Sequence, residues 1–265
     1  MNENDPRRAA KLAAFDRLLT IMDELREQCP WDRKQTWESL RYLTIEELYE
    51  LSDALLDNDA EEVRKELGDL MLHLVFYARI GSERGAFDVA DVLDGICEKL
   101  IRRHPHIYGD VRADDEATVR RNWEALKLQE GHKSVLSGVP RSLPAVVKAM
   151  RIQEKARGAG FDWDERTQVW AKVQEELAEF GELHDQPNPD PARVAGEFGD
   201  LMFSLINYAR FVDVEPEAAL ERTNKKFIRR FTYLEEAARR DGKRLPDLTL
   251  REMDVYWEAA KAEEG

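Results

Sequence analysis

Apolar residues recur every three or four positions along most of the chain. Between residues 7 and 28, for example, the apolar positions are Leu12, Phe15, Leu18, Leu19, Met22 and Leu25. This spacing places them on one face of an α-helix, in which each residue advances by about 100°. No segment shows the strict alternation that is typical of a β-strand. The pattern therefore predicts an all-α protein with no significant β-sheet.

Capping residues predict where further helices begin and end. The segment Thr44-Ile-Glu-Glu47 has the pattern of a capping box, which predicts the start of an acidic helix. Asp59 and Asp88 are predicted to cap the next two helices, the second of which should stop at His104-Pro105. Other helices are expected at residues 115–130, where Trp123 and Lys127 lie, and at 144–157, 216–240 and 249–262. Gly242 should end the helix at 216–240.

Two acidic motifs occur twice, in the same order and with similar neighbours. Glu46-Glu47-Leu-Tyr-Glu50 and Glu66-Leu-Gly-Asp69 lie in the first half of the chain. Glu175-Glu176-Leu-Ala-Glu179 and Glu197-Phe-Gly-Asp200 lie in the second half. We interpret this as a tandem repeat of two four-helix units, residues 1–131 and 142–265, joined by a linker at 132–141. Each unit has a strong apolar stripe that must be buried, so a homodimer or larger assembly is expected.

Composition narrows the range of partners. A net charge of −14 over 265 residues argues against a nucleic-acid groove, which needs clustered lysine and arginine. Cys29 and Cys97 are too few for a disulfide framework, so a reducing, cytoplasmic location is expected. The longest apolar runs are about eleven residues long and contain polar residues, so no membrane span is predicted.

The duplicated acids suggest a metal site. On adjacent antiparallel helices, Glu176 and Glu179 would face Glu197 and Asp200, and carboxylates packed this closely repel one another unless a cation lies between them. Oxygen ligands without nearby cysteine or histidine favour Mg²⁺, or Mn²⁺, over zinc. A Glu-rich helix is more often a solvated face, but duplication with the same flanking residues favours the metal site. The first repeat keeps its own five acids: Glu46, Glu47, Glu50, Glu66 and Asp69.

Glu175 is the candidate general base, since it lies one residue from the metal-site acids and is expected to be buried beside them. The alternative is an ordinary surface acid. In the first repeat, Arg64 is the basic residue expected near the metal pair.

Basic residues near the acids could bind phosphate. Lys172 and Arg193 each lie about one helical turn from an acid, although such pairs are often only weak surface ion pairs. Trp257 could stack on a base, or could instead dock the terminal helix. A further cluster on the following helix would form either a polyanion-binding edge or a solvated helix end: Asn224, Lys226, Arg229 and Arg230.

Other kinds of site find little support. His73, in an apolar helix, is interpreted as a hydrogen-bonded core residue, and His104 and His106 as parts of a turn. No Glu-x-x-His motif indicates a di-iron bundle. No Walker or dinucleotide-binding glycine loop is present.

Taken together, the motifs resemble the MazG family of nucleoside triphosphate pyrophosphohydrolases. The resemblance runs from about residue 15 to the C-terminus and includes Cys-Pro-Trp-Asp at 29–32, Gly-Phe-Asp-Trp at 160–163 and Asn-Lys-Lys-Phe at 224–227. It implies an all-α fold related to dimeric dUTPases and phosphoribosyl-ATP pyrophosphatases. It also implies Mg²⁺-dependent cleavage of an NTP or dNTP between the α and β phosphates, giving NMP and pyrophosphate.

The resemblance also assigns residues. It implies metal binding by Glu175, Glu176, Glu179, Glu197 and Asp200, with the second repeat as the main catalytic unit of a homodimer. It places substrate contacts at Lys172, Arg193, Lys226, Trp257 and, from the linker side, Lys127. Alternative functions are a hydrolase restricted to damaged nucleotides or an alarmone, a nucleotide-binding regulatory module without turnover, and a purely structural bundle.

Overall fold

The computed structural model describes residues 5–109, 134–184 and 186–263, and these form α-helices joined by short turns, with no β-strand among them. The all-α prediction is confirmed. None of the helices in these ranges is long and apolar enough to cross a membrane. The described helices are α1 Arg8–Gln28, α2 Trp37–Leu56, α3 Ala60–Glu83, α4 Val89–Arg103, α5 Pro105–Tyr108, α6 Ala145–Gly158, α7 Arg166–His184, α8 Pro191–Phe211, α9 Pro216–Arg240 and α10 Leu250–Glu263.

The described residues fall into two compact units, 5–109 and 134–263. The predicted helix at 115–130, with Trp123 and Lys127, lies outside the described residues, and so does the predicted boundary at residue 131. Short 3₁₀ turns at Asp32–Lys34, Val135–Gly138 and Leu245–Asp247 connect helices within the units.

Unit 1 is built around the pair α2 and α3, against which α1 packs. Its core cluster consists of Met22, Leu40, Val75, Phe76 and Ile80. Burying a side chain of this size removes enough apolar surface from water to contribute roughly 1.5–3 kcal/mol. The apolar spacing that predicted these helices therefore also selected the face that α1, α2 and α3 bury together.

The predicted start of α2 is wrong. The helix begins at Trp37, where the Thr36 hydroxyl accepts a hydrogen bond from the Ser39 backbone N–H and the Ser39 hydroxyl accepts one from the Thr36 backbone N–H. Thr44 lies inside the helix, and its hydroxyl bonds the Leu40 carbonyl at 3.0 Å and the Tyr77 hydroxyl at 2.7 Å. Because a mid-helix threonine can satisfy its hydroxyl in this way, Glu47 is not needed as a capping residue.

Other predicted helix ends agree with the structure. Asp59 accepts hydrogen bonds from the backbone N–H groups of α3, and Asp88 does the same for α4. The helix α9 begins at Pro216, and Gly242, in the left-handed region at φ 69°, lies two residues after its last residue. These helix ends are set by capping aspartates, proline and glycine, which can be recognised directly in the sequence.

Unit 2 is also built around a pair of helices, α7 and α8. The helix α6 packs against α8, and α9 packs against α10. Val169, Val173 and Leu183 of α7 are buried, as are Ile206 and Ala209 of α8. The buried Gln153 of α6 donates from its Nε2 to the Phe203 carbonyl of α8 at 2.8 Å. This polar contact joins α6 to the helix pair that carries the second acidic motif.

Arg26 ties three parts of unit 1 together. Its guanidinium donates to both carboxylate oxygens of Glu83, at 2.9 and 2.5 Å, and to the backbone carbonyls of Asp32 and Gln35. The arginine side chain is 8% exposed. The hydrogen bond from Arg26 holds the pKa of Glu83 below its ordinary value of 4.5. One cation therefore fixes the 32–35 turn against the ends of α1 and α3.

Replacing Glu83 with glutamine is expected to destabilise unit 1 by about 1–2 kcal/mol, because Arg26 keeps its burial and loses its charged partner. The native contribution is complete above the unfolded pKa near 4.5 and is lost as the pH falls through the lower folded value. Thermal unfolding at pH 7 should therefore show a lower midpoint for Glu83→Gln, and the difference should shrink as the pH is lowered below 4.5. Glu61→Gln, which breaks an exposed pair with Arg64, is the matched control and should change little. Equal midpoints for Glu83→Gln and the native chain at pH 7 would contradict this role.

Candidate functional site

Two trios of carboxylates lie between the paired helices, one in each unit. In unit 2, Glu176 of α7 meets Glu197 and Asp200 of α8, with one oxygen from each residue within 4.8 Å of the others. In unit 1, the same criterion is met by Glu47 of α2 with Glu66 and Asp69 of α3. Within the described part of the chain these are the clusters close enough to share one metal ion. The two acidic motifs of each repeat therefore meet in space, as their spacing predicts.

Helix geometry explains how the second trio forms. Glu197 and Asp200 are separated by three residues, so they project from nearly the same face of α8. Asp190 caps the start of α8 by accepting a hydrogen bond from the Ala192 N–H at 3.1 Å, and Pro191 occupies the first turn. Because α8 begins abruptly at Pro191, it can run back alongside α7. Glu176 of α7 lies at the contact between the two helices. Glu176 is 7% exposed, which is unusual for a carboxylate.

Lys172 neutralises part of the second trio from within α7. Its ammonium lies 2.8 Å from Glu175 Oε1 and 2.8 Å from Glu176 Oε1. Hydrogen bonds to Glu175 and then to Glu176 raise the pKa of this lysine, so it stays charged. Desolvation, followed by the charges of Glu176 and Glu197, raises the pKa of Glu179, while Lys172 opposes that rise. Glu179 therefore lies within the electrostatic reach of the trio although it is not one of its three members.

The first trio has a different arrangement of charge. Lys65, on α3, contacts Glu66 Oε1 at 2.9 Å and Glu62 at 3.3 Å. Glu66 is 2% exposed, and its other oxygen, Oε2, has no hydrogen-bond partner. Burial, followed by the charges of Asp69, Glu50 and Glu66, raises the pKa of Glu47. A buried carboxylate oxygen without a partner is costly unless a cation completes it.

Both trios have the donor set that Mg²⁺ or Mn²⁺ requires. All six residues of the two trios are carboxylates, which suit these hard ions, and no thiol or imidazole is among them. The unpartnered Glu66 oxygen is the atom that such an ion would satisfy. In unit 2, the buried Glu176 meets two further carboxylates, whose mutual repulsion an ion would relieve.

The expectation that Glu175 is buried beside the other acids is wrong. Its side chain is 54% exposed and its Oε1 accepts a hydrogen bond from Lys172. Adjacent residues of a helix project about 100° apart. Glu176 therefore points into the contact between α7 and α8, while Glu175 points away from it. Glu46 and Glu50 are likewise exposed and outside the first trio.

The predicted phosphate-binding residues are distributed over two regions of unit 2. Lys172 and Arg193 flank the trio, and Arg193 Nε lies 3.8 Å from Glu197 Oε1. Asn224, Lys226, Arg229 and Arg230 lie along α9, and Asn224 donates to Glu221 at 3.1 Å. Lys127 lies outside the described residues.

Trp257 packs between helices. Its ring lies 5.1 Å from the Phe227 ring, and the Arg230 guanidinium lies 5.9 Å from it. The structure therefore places this tryptophan at the contact between α9 and α10, which is the docking alternative.

Lys65 is a basic residue beside the first trio that the sequence analysis did not identify. Arg64 was expected near the first trio, but it pairs with Glu61 at the surface, whereas Lys65 contacts Glu66. The adjacency of lysine to the buried acid of the motif was the signal in the sequence.

His73 also departs from expectation. It is buried as predicted, but its Nδ1 has no hydrogen-bond partner, and burial lowers its pKa.

The fold and the two trios define an all-α protein in which paired helices gather oxygen ligands. Comparison with known proteins narrows this class. A family model described as the MazG nucleotide pyrophosphohydrolase domain matches residues 35–108, which include the first trio.

Similar proteins cover more than nine-tenths of the chain. A Thermotoga maritima protein named nucleoside triphosphate pyrophosphohydrolase/pyrophosphatase MazG is 44% identical over 252 residues, covering 93% of this chain and 95% of its own. An Escherichia coli K12 nucleoside triphosphate pyrophosphohydrolase is 40% identical over 257 residues, covering 94% and 98%. The uncharacterised Bacillus subtilis protein YabN is 44% identical over 255 residues. This match covers 94% of this chain and 52% of YabN. The chain belongs to the MazG family of nucleotide pyrophosphohydrolases.

Proposed function

We propose that this chain is a Mg²⁺-dependent nucleoside triphosphate pyrophosphohydrolase, which cleaves an NTP or dNTP between the α and β phosphates to give NMP and pyrophosphate. Family membership and the names of relatives from Thermotoga maritima and Escherichia coli support the activity. The observation that carries the proposal is the trio Glu176, Glu197 and Asp200, flanked by Lys172 and Arg193. Carboxylates that bind a metal and cations that contact phosphate are the two requirements for triphosphate chemistry.

Glu176, Glu197 and Asp200 would hold the metal. When bound, Mg²⁺ would supply positive charge that screens the triphosphate and stabilises charge developing in the transition state. Glu176 is buried and fixed by packing, so it provides the most rigid ligand position. Asp200 is exposed, which leaves the trio accessible from solvent on its side.

The chain's own cations and bases would complete the reaction. Lys172, paired with two acids in the structure, would exchange part of that contact for phosphate oxygens, and Arg193 would contact the departing pyrophosphate. Glu175 would accept a proton from the water that attacks the α-phosphorus, while the bond between this phosphorus and the bridging oxygen breaks. Its exposure gives it access to that water. Glu179, whose pKa is raised, is the alternative base.

Glu176→Ala and Asp200→Ala are each expected to reduce turnover by about 100-fold or more, because each removes a ligand from a trio whose members act together. The measurement is to incubate each variant with NTPs and dNTPs plus Mg²⁺ and to separate NMP and pyrophosphate from nucleoside diphosphate and phosphate. Added EDTA should stop turnover, and Glu175→Gln in the same assay tests the general base.

The matched control is Glu182→Ala, an exposed acid on α7 outside the trio, which should retain activity. Circular dichroism should show unchanged helix content in all variants. Full turnover by Glu176→Ala, or release of phosphate instead of pyrophosphate, would refute the proposed function.

We also propose that unit 2 is the main catalytic unit. Its motif positions align with those of unit 1, and the alignment places Leu43 where unit 2 has Lys172, and Glu62 where it has Arg193. Unit 1 thus lacks counterparts of Lys172 and Arg193, and an acid replaces the second of them; the cation beside its trio is Lys65, which contacts Glu66. A triphosphate carries several negative charges, so this exchange disfavours its binding to unit 1.

Arg193→Glu, which gives unit 2 the charge of unit 1, is expected to raise KM for NTP about tenfold or more, because attraction becomes repulsion near the triphosphate. Glu47→Ala, which disrupts the first trio, should leave kcat within about twofold if unit 2 performs the chemistry. Steady-state kinetics on full-length variants provides both values. A loss of kcat in Glu47→Ala equal to that in Glu176→Ala would contradict the assignment.

We infer that the chain forms a homodimer. Leu67, Met71 and Leu74 are exposed along one face of α3, at spacings of four and three residues. An apolar stripe of this kind on a helix pair is typical of a surface that packs against further helices. The equivalent helix of unit 2 exposes Phe198 and Leu205.

Replacing Met71 and Leu74 together with aspartate is expected to convert the dimer to a monomer, because two charges would be buried in the contact. Sedimentation equilibrium gives the mass directly. Leu12→Asp, a comparably exposed leucine on α1, is the control and should leave the dimer intact. A native chain that sediments as a monomer at micromolar concentration would exclude the homodimer.

A further inference from the structure

The contact between α6 and α8 in unit 2 contains buried polar side chains. Gln153 of α6 is 4% exposed, and Ser204 and Asn207 of α8 are similarly buried. Residues of these types are seldom buried so completely. Ser204 is satisfied within its own helix, because its hydroxyl donates to the Leu201 carbonyl at 2.9 Å. Gln153 and Asn207 instead form hydrogen bonds that connect α8 to other parts of the unit.

The corresponding contact in unit 1 is apolar. The Tyr-Ala-Arg segments at 77–79 and 208–210 align the two helices, so Asn207 stands where unit 1 has Phe76. Phe76 is buried and belongs to the same core cluster as Met22 of α1, the helix that packs against α3. Exchanging a core phenylalanine for a buried asparagine sacrifices apolar burial. Packing alone therefore does not account for the polar residues of unit 2.

Gln153 holds α8 by its backbone. Its Nε2 donates to the Phe203 carbonyl at 2.8 Å, and Phe203 follows Asp200 by three residues, or about 4.5 Å along the helix axis. A carbonyl in the middle of a helix already accepts the N–H four residues further on, so it does not need this additional donor. The Gln153 Oε1 is buried without a hydrogen-bond partner, which costs stability. What the contact adds is a fixed position of α8 against α6.

A second polar connection attaches the same side of α8 to the loop before α7. Arg210 donates to Asn207 Oδ1 at 2.6 Å and to Asp162 Oδ2 at 2.7 Å. The arginine side chain is 9% exposed, so this connection is largely shielded from water. Phe203, Asn207 and Arg210 are spaced by four and three residues and therefore lie on one face of α8. Directional hydrogen bonds thus hold this face over about 10 Å of the helix.

The rotation of α8 about its axis decides whether its acids reach Glu176. Side chains end about 5–6 Å from a helix axis, so a rotation of about 20° would move a carboxylate by about 2 Å. One oxygen from each of Glu176, Glu197 and Asp200 lies within 4.8 Å of the others, and Mg²⁺ demands near-ideal ligand geometry. Apolar packing is non-directional and resists such a rotation less than hydrogen bonds do. The contact with α6 therefore bears on the geometry of the trio.

We propose that Gln153 is a positioning residue, which sets the rotation of α8 and so holds Glu197 and Asp200 in the geometry that a divalent cation needs. The inference rests on the proposed function, because it concerns the same trio. In unit 1, Phe76 takes the place of Asn207 and the acids still meet, so the polar contact is not needed to bring acids together. Its effect is to restrict the movement of the two acids on α8.

The test compares Gln153→Met with Gln153→Ala, both of which remove the hydrogen bond to the Phe203 carbonyl. Methionine fills the site and removes the unpartnered oxygen, so the midpoint of thermal unfolding should stay the same or rise. Alanine leaves a cavity, so the midpoint should fall. Both variants should nevertheless lower kcat about three- to tenfold, the effect of losing one buried hydrogen bond. KM for NTP should change less than about twofold, because Lys172 and Arg193 remain.

Binding of Mn²⁺ without nucleotide gives a readout that does not depend on turnover. Free Mn²⁺ is measured by electron paramagnetic resonance in a Glu47→Ala background, which disrupts the first trio so that the second one reports. Both Gln153 variants should weaken Mn²⁺ binding about three- to tenfold. Gln174→Met makes the same chemical change at an exposed position of α7 and is the matched control. It should leave both kcat and Mn²⁺ affinity unchanged.

The two variants separate positioning from stability. Losses of kcat and Mn²⁺ affinity that occur in Gln153→Ala but not in Gln153→Met would follow stability alone and would overturn the inference. Equal losses in Gln174→Met would overturn it too. Native turnover and native Mn²⁺ affinity in Gln153→Met would reject the positioning role and leave the proposed function intact. Absence of turnover in the native chain would instead refute the proposed function, and the Mn²⁺ affinities would still decide the role of Gln153.

Discussion

The packing of acidic residues into the contact between two helices is the constraint on which this structure depends. Glu66 and Glu176 are almost completely buried, and each faces two further carboxylates. Removing such groups from water is costly, and their mutual repulsion adds to the cost. The helix pairs tolerate this because apolar packing on the same helices holds them together and a lysine lies beside each trio. The result is a preformed carboxylate cluster, which we propose binds a divalent cation.

The two units share this framework but distribute positive charge differently. In unit 2 the cation beside the trio comes from the first helix of the pair, at Lys172, and Arg193 adds a second on the other helix. In unit 1 the cation comes from Lys65, and the described residues around it include acids such as Glu50 and Glu62. Such exchanges alter the local field while the apolar contacts between the helices remain, because the side chains concerned are exposed or only partly buried. The two helix pairs therefore differ in charge around carboxylate trios of the same kind.

Several features of the site were predictable because they depend on spacing along one helix. The pairing of Glu197 with Asp200, the caps at Asp59 and Asp88 and the start of α9 at Pro216 are of this kind. The error at Thr44 has a related cause. The residues that make a capping box can also occur inside a helix, and the Tyr77 hydroxyl that Thr44 contacts lies 33 residues away. Local patterns cannot report a partner at that distance.

The sequence by itself determined that the chain is helical, that it carries two copies of one acidic pattern, and which family it resembles. These properties follow from periodicity and from the identity of residues at fixed intervals. Only the tertiary structure decided which acids meet, since that depends on the rotation of two helices about their own axes. The same rotation left Glu175 exposed beside the buried Glu176, brought Lys65 rather than Arg64 to the first trio, and placed Trp257 against Phe227. Contacts between helices are set by packing over many residues, and no short stretch of sequence contains that information.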